Sequence, residues 1–117
     1  LAGHLCEMAV AAEKKIRLHS NSVNLISGIA DFAAMGLVPA GAHKNRAFFQ
    51  PVSRIDERVD RALADLMFDP QTSGGLLICL EPEDAEHCVE TLEYQGVSAS
   101  VVGEVTGEFQ GGFLEII

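Results

Sequence analysis

Hydrophobic residues are spaced as in helices in some parts of the chain and as in strands in others. Apolar positions three and four residues apart predict four helices, over 2–14, 27–36, 55–67 and 82–96. Alternation of polar and apolar positions predicts three strands, over 15–19, 97–105 and 113–117. A continuous apolar run over 76–80 predicts a central strand buried on both faces. Residues 38–50 show neither period, which predicts a long loop.

Short punctuating residues support these boundaries. Ser27 is a plausible N-cap for the second helix, and Gly36 would end it from the left-handed region. Pro82 suits the first turn of the fourth helix, and Gly96 ends it. A turn is expected over 110–112, where two glycines follow a glutamine.

The order of these elements predicts an α+β fold. The second half of the chain is predicted to contain a strand, a helix, a strand, a turn and a strand in that order, which favours a two-layer sandwich. We expect a mixed or antiparallel sheet with helices on one face. The 117 residues are enough for a single domain with one core.

Composition narrows the function classes. Apolar residues make up 48% and charged residues 21% of the chain, as in folded proteins. The net charge of −9 argues against a nucleic-acid partner, whose phosphates would be repelled. No apolar run is long enough to span a bilayer, and no signal-peptide pattern is visible, so we expect a cytoplasmic protein without a membrane partner. Cys6, Cys79 and Cys88 lack C-x-x-C spacing and are interpreted as small buried hydrophobic residues rather than metal ligands.

The segment 69–75, with the sequence DPQTSGG, combines residues that favour turns with potential hydrogen-bond donors. Pro70 pushes Asp69 away from the helical region, so the preceding helix must stop there. Gly74 and Gly75 can adopt positive φ and leave the backbone accessible. Two interpretations are open: a surface loop that joins a helix to a strand, or an anion-binding loop made of consecutive N–H groups.

A second polar cluster lies within the predicted loop 38–50. His43, Lys44, Asn45 and Arg46 place two cations in an otherwise acidic chain. This cluster is either a solvated surface or a group in which Asn45, with Lys44 or Arg46, faces a phosphate-bearing ligand. Phe48 is expected to anchor the loop to the core, as is Phe49.

Three segments carry a resemblance to a known family, the selenophosphate synthetases (selenide, water dikinases). Residues 68–77, FDPQTSGGLL, resemble the C-terminal signature of that family, and 36–46, GLVPAGAHKNR, resemble its GLVPxGxxxN segment. The opening residues 1–5, LAGHL, resemble its GHLxEM helix. The resemblance extends over essentially the whole chain and implies a fold like that of the C-terminal domain of aminoimidazole ribonucleotide synthetase.

The resemblance implies that residues 1–117 are one C-terminal domain of a larger synthetase, without its N-terminal ATP-binding domain. The family makes selenophosphate, AMP and orthophosphate from ATP, selenide and water, and it uses Mg²⁺. Its reactive cysteine or selenocysteine, its lysine and its magnesium-binding aspartates belong to the other domain, so no catalytic residue and no metal ligand is assigned here. The full-length protein is expected to be a homodimer and this chain alone to be inactive.

The expected contribution of this chain is to complete a substrate or phosphate cleft. We expect a ligand to be bound by five residues of the two matching segments: Asn45, Thr72, Ser73, Gly74 and Gly75. Other enzymes of the superfamily are alternatives, namely thiamine-phosphate kinase, hydrogenase maturation protein and purine synthetases. A stand-alone module that binds a small molecule is a further alternative.

Overall fold

The computed structural model describes residues 1–71 and 73–117, and in these residues it contains five α-helices and four strands. The helices are α1 (Ala2–Ala12), α2 (Ile29–Ala34), α3 (Ala40–Phe49), α4 (Arg61–Met67) and α5 (Pro82–Tyr94). The strands are β1 (Lys14–Leu18), β2 (Ser53–Ile55), β3 (Gly103–Glu108) and β4 (Phe113–Ile116). Single 3₁₀ turns cover Ser20–Ser22 and Gln50–Val52.

The four strands form one mixed sheet in the order β2-β4-β1-β3. Strand β4 is parallel to both β1 and β2, whereas β3 is antiparallel to β1. Parallel neighbours need a long connection, and β1 and β4 are joined by most of the chain. The predicted α+β class with a mixed sheet is confirmed.

One face of the sheet is apolar and is covered by α1. Ile16 and Leu18 of β1 alternate with charged residues and pack with Leu114 and Ile116 of β4. The buried stripe of α1, which comprises Ala2, Leu5, Cys6 and Ala9, packs on this face, together with Met67 and Phe68 at the end of α4. The opposite face is polar, which gives the two layers that the alternation in the sequence predicts.

Charged side chains on the polar face pair across three strands. Glu115 accepts from Lys15 at 3.0 Å and from the Arg17 Nε at 3.2 Å, and Arg17 also reaches Glu104 at 3.1 Å. These hydrogen bonds, with the Lys15 bond the largest contribution, hold the pKa of Glu115 below its ordinary value of 4.5. Because the folded pKa is lowered, Glu115 contributes stability above about pH 4.5, and this is lost as the pH falls through the folded pKa.

We therefore expect Glu115→Gln to lower the free energy of unfolding at pH 7 by less than about 1 kcal/mol, as is usual for partly exposed pairs. The difference from the unchanged protein should shrink as the pH falls below 4.5. Urea unfolding at a series of pH values measures this, with the exposed Glu57→Gln as the control. A difference that stays constant down to low pH would contradict the assignment.

Several predicted boundaries are confirmed. Helix α1, strand β1 and strand β4 lie within about two residues of their predicted ranges. Gly36 follows α2 with φ 81°, Gly96 follows α5 with φ 78°, and Pro82 lies in the first turn of α5. The expected cap at Ser27 is wrong, because Gly28 is the N-cap of α2 and no side chain caps this helix.

The predicted loop over 38–50 is wrong, since most of it forms helix α3. Of the α3 side chains only Ala42 is buried, so the helix has no hydrophobic stripe that a periodicity search could detect. Its alanine, lysine and arginine residues favour helix intrinsically, and Pro39 precedes it as the N-cap residue. The chain therefore forms a mostly exposed helix where pattern alone suggested a loop.

The predicted helix over 55–67 is shorter than expected. Ile55 belongs to strand β2, and the helix begins only at Arg61. Asp60 sets this start because its carboxylate accepts from the N–H groups of Ala62 and Leu63. The apolar spacing continues across a strand, a turn and a helix, which is why periodicity merged them.

The predicted central strand over 76–80 is also wrong. Leu77 packs against the core, but Leu76 is 88% and Ile78 58% exposed. The two central strands of the sheet are β4 and β1, which pair directly with each other. The apolar run over 76–80 therefore cannot be a central strand between them. Residues 97–101 likewise lie outside the sheet, and β3 begins only at Gly103.

Strand β3 passes close to β1 at Gly103. A Cβ added at Gly103 would lie 2.2 Å from the backbone oxygen of Arg17. The pairing of β1 with β3 shifts register between Lys15 and Ile16, opposite residues 105–107. Over the described residues, no helix is long and apolar enough to cross a membrane.

Candidate ligand-binding site

The signature segment leaves the core at the end of α4. Phe68 is the C-cap residue and is 1% exposed, so its ring anchors this end of the helix in the core. Asp69 N–H donates to the oxygen of Leu66 at 3.1 Å, and Pro70 then prevents another helical turn. The predicted stop before Pro70 is confirmed.

Helix α3 lies beside this exit and contacts it at two points. The Asn45 amide Nδ2 donates to the Phe68 oxygen at 3.0 Å, which satisfies a carbonyl that the end of α4 would otherwise leave unpaired. A Cβ on Gly41 would lie 2.8 Å from Cγ of Pro70, so only glycine leaves room there for the proline ring. The two family segments that the sequence singled out are thus in contact.

The other predicted binding residues lie further along the exposed loop. Ser73, Gly74 and Gly75 are exposed and belong to no helix or strand, and Thr72 lies outside the described residues. Neither described glycine of this loop adopts a positive φ. A Cβ at Gly74 would meet only the Gln71 Oε1, at 3.8 Å, and one at Gly75 would meet nothing within 4 Å. The backbone of this loop is therefore open to an approaching ligand.

A cavity of about 390 Å³ lies between α3, the start of α1 and the exit of α4. It is lined by Leu1, Gly3, His4, Glu7, Asn45, Phe48, Phe49, Phe68, Asp69 and Gln71. Asn45 is thus brought to the first half of the signature segment. Ser73, Gly74 and Gly75 are not among the lining residues, so the predicted five-residue set is not gathered around this cavity.

The cavity is acidic. Glu7, paired with His4 at 3.0 Å, and Asp69 supply carboxylates, and none of the lining residues is lysine or arginine. The Asp69 Oδ1 is buried and has no hydrogen-bond partner in the described part of the chain, while its Oδ2 accepts from Gln71 at 3.3 Å. Asp69 is a cavity-lining residue that the sequence pattern did not indicate. A phosphate entering this cavity would need an accompanying cation or backbone N–H groups to offset these charges.

The basic residues near Asn45 do not point to this cavity. The Arg46 Nη1 donates to Asp65 Oδ1 at 2.7 Å, and the Asp65 side chain is only 9% exposed. His43 lies 4.0 Å from the same oxygen, and Lys44 is exposed. Arg46, whose side chain is 39% exposed, is therefore paired with a nearly buried carboxylate, which neither of the two sequence interpretations included.

The phenylalanine pair has a divided role. Phe49 packs against the core, as expected, whereas the expectation for Phe48 is wrong, since this side chain is 76% exposed. Their rings meet edge to face with centroids 5.0 Å apart. Phe48 thus forms an exposed aromatic rim of the cavity.

The described residues do not form a complete magnesium site. Mg²⁺ prefers several oxygen ligands in near-octahedral geometry. No group of three or more His, Cys, Asp or Glu side chains that could hold a metal ion occurs in residues 1–71 and 73–117. No chemical step is therefore assigned to a metal bound by this chain alone.

The three cysteines differ in exposure, and all are free. Cys6 is buried as expected, and burial raises the pKa of its thiol to about 11, so it stays protonated and unreactive at neutral pH. Cys88 is half-buried, but Cys79 is exposed, so the prediction of burial is wrong there. Cys79 belongs to the apolar run over 76–80, which does not form a strand of the sheet.

The mixed α+β fold and the signature segment define the class of protein. A sequence model of the family described as AIR synthase related protein, C-terminal domain, matches residues 1–114. The chain belongs to this family, and the predicted resemblance to its C-terminal domain is confirmed.

Among the relatives of the chain are proteins named selenide, water dikinase. The one from Clostridioides difficile is 39% identical over 106 residues, which cover 90% of this chain and 30% of the relative. Those from Pelobacter propionicus and Geobacter metallireducens are 43% and 41% identical, over 91% and 90% of this chain and 31% and 30% of the relatives. The chain spans about a third of the length of these relatives.

Proposed function

We propose that this chain is the C-terminal domain of a selenide, water dikinase. The observation that carries the proposal is the identity of 39–43% over about nine tenths of the chain to relatives of that name. The proposed whole protein converts ATP, selenide and water to selenophosphate, AMP and orthophosphate with Mg²⁺, and is a cytoplasmic homodimer. A separate N-terminal domain supplies the reactive groups and most of the ATP and Mg²⁺ contacts.

We propose that the segment 72–75 donates backbone N–H groups to a phosphate at the cleft between the domains. Ser73, Gly74 and Gly75 are exposed, and among the described residues a Cβ on Gly74 would meet one side-chain atom and a Cβ on Gly75 none within 4 Å, which supports this role. Asn45 supports the loop from α3 and retains a second N–H, because an amide group has two and the Phe68 carbonyl takes one. Donors held in place before the reaction stabilise the charge that develops on a transferred phosphoryl group.

A chimeric enzyme tests the proposal. The matching 106-residue segment of the Clostridioides difficile selenide, water dikinase is replaced by the corresponding residues of this chain. Phosphorus NMR then follows ATP in the presence of selenide and Mg²⁺, with the isolated chain as the control. Selenophosphate, AMP and orthophosphate from the chimera alone support the proposal. A folded chimera that leaves ATP untouched, or that forms ADP, would instead favour a sibling kinase or a binding module.

Within this chimera, Gly74→Val tests the loop. Valine at this position meets one side-chain atom at 3.8 Å and needs no positive φ, so the melting temperature should change little. Its branched side chain would cover the N–H groups, and we expect kcat to fall about 100-fold, as after loss of one oxyanion donor. Unchanged selenophosphate synthesis would exclude the loop as a phosphate site.

A further inference from the structure

Helix α3 contacts the end of α4 directly before the exposed loop. Asn45 and Arg46 are adjacent on α3 and hold two successive points on α4: the Phe68 carbonyl at 3.0 Å and the Asp65 carboxylate at 2.7 Å. Gly41, one turn earlier on α3, receives Pro70. These contacts span the last turn of α4 and the first residues after it.

The Arg46–Asp65 pair is the charged part of this contact. The Asp65 side chain is only 9% exposed, and its Oδ1 accepts from Arg46 at 2.7 Å. A buried carboxylate is costly unless it is paired and hydrogen-bonded, so the arginine of α3, whose own side chain is 39% exposed, stabilises Asp65 in this place. The pair therefore ties the position of α4 to that of α3.

We propose that Arg46 and Asp65 are positioning residues, whose ion pair sets the direction in which the loop over 73–75 leaves α4. This inference rests on the proposed function for its catalytic consequence. Neither side chain contacts the ligand; both act through the end of α4 and the segment that follows it. Displacements of about 1 Å in a positioned group can lower turnover by up to about 100-fold.

A second arginine pair provides a matched control. Arg58 donates to Asp56 at 2.8 Å, but its side chain is 85% exposed and it lies in the turn before α4, away from the loop. Arg46→Gln and Arg58→Gln thus remove the same charge and one ion pair each. Only the first change removes a partner from a buried carboxylate.

In the chimera, we expect Arg46→Gln to lower kcat about 10-fold with little change in KM for ATP, and Arg58→Gln to leave both unchanged. Arg46→Lys should restore most of the turnover, because one ammonium can still reach Asp65 Oδ1. The double variant Arg46→Gln with Asp65→Asn should be no slower than the slower single variant if the pair acts as a unit. Equal kcat values for the two glutamine variants, per folded enzyme, would overturn the proposal.

The isolated 117-residue chain gives a readout that does not depend on activity. Arg46→Gln should move the amide NMR signals of Gly74 and Gly75, and Arg58→Gln should not. Unmoved signals in the Arg46 variant would overturn the positioning role. A wild-type chimera that makes no selenophosphate would overturn the proposed function alone, and the amide signals would still decide whether the pair directs the loop.

Discussion

Replacement of Gly112 by alanine is expected to lower the free energy of unfolding by about 2–5 kcal/mol. Gly112 has φ 70°, which costs an alanine about 1–2 kcal/mol. The added Cβ would also lie 2.3 Å from the backbone carbon and oxygen of Ala9 in α1, and such overpacking costs about 1–3 kcal/mol more. Because the obstructing atoms are backbone, α1 itself would have to move off β4. Urea unfolding measures the loss.

Gly111 is the matched control for this prediction. It has φ 84°, but a Cβ there would meet nothing within 4 Å. Gly111→Ala should therefore show only the conformational cost of about 1–2 kcal/mol. Equal losses in the two variants would mean that the close approach of the turn to α1 does not contribute to stability.

Replacement of Phe68 by alanine is expected to lower the free energy of unfolding by about 3–5 kcal/mol. Phe68 is among the largest fully buried side chains in the described residues, and it joins the end of α4 to the core formed by α1 and the sheet. Loss of the ring leaves a cavity beside the backbone carbonyl that Asn45 holds, so the start of the signature loop should lose its anchor in the core. Chemical unfolding gives the stability change.

Phe48→Ala serves as the comparison, since it deletes the same ring from a side chain that is 76% exposed. Such surface changes usually stay within about 0.5 kcal/mol. If Phe48→Ala proved as destabilising as Phe68→Ala, the division of the α3–α4 region into a buried anchor and an exposed rim would be wrong.

The positions of the proposed binding groups have a functional consequence. The donor-rich loop is exposed, the cavity behind it is acidic, and Arg46 is already paired with Asp65. In the proposed enzyme this domain therefore presents backbone donors to a phosphate, while the cations that balance its charge come from Mg²⁺ or from the other domain. This division agrees with the net charge of −9.

Elements with strong local signals could be predicted from the sequence alone. These local signals are the apolar stripe of α1, the alternation of β1 and β4, Pro82 at the start of α5, and the glycines after α2 and α5. They depend on the preference of nearby residues for a backbone conformation or for one buried face, which the sequence displays directly. The family also followed from three short segments whose residues match in order.

Tertiary structure alone decided the rest. A mostly exposed helix such as α3 has no apolar stripe in its sequence. The apolar run at 76–80 does not indicate whether the sheet has a place for another strand. The ion pair between Arg46 and Asp65 joins residues 19 positions apart, and the lack of a partner for Asp69 Oδ1 among the described residues depends on which side chains surround it. Burial and pairing are properties of the assembled core, because they depend on distances that no local pattern encodes.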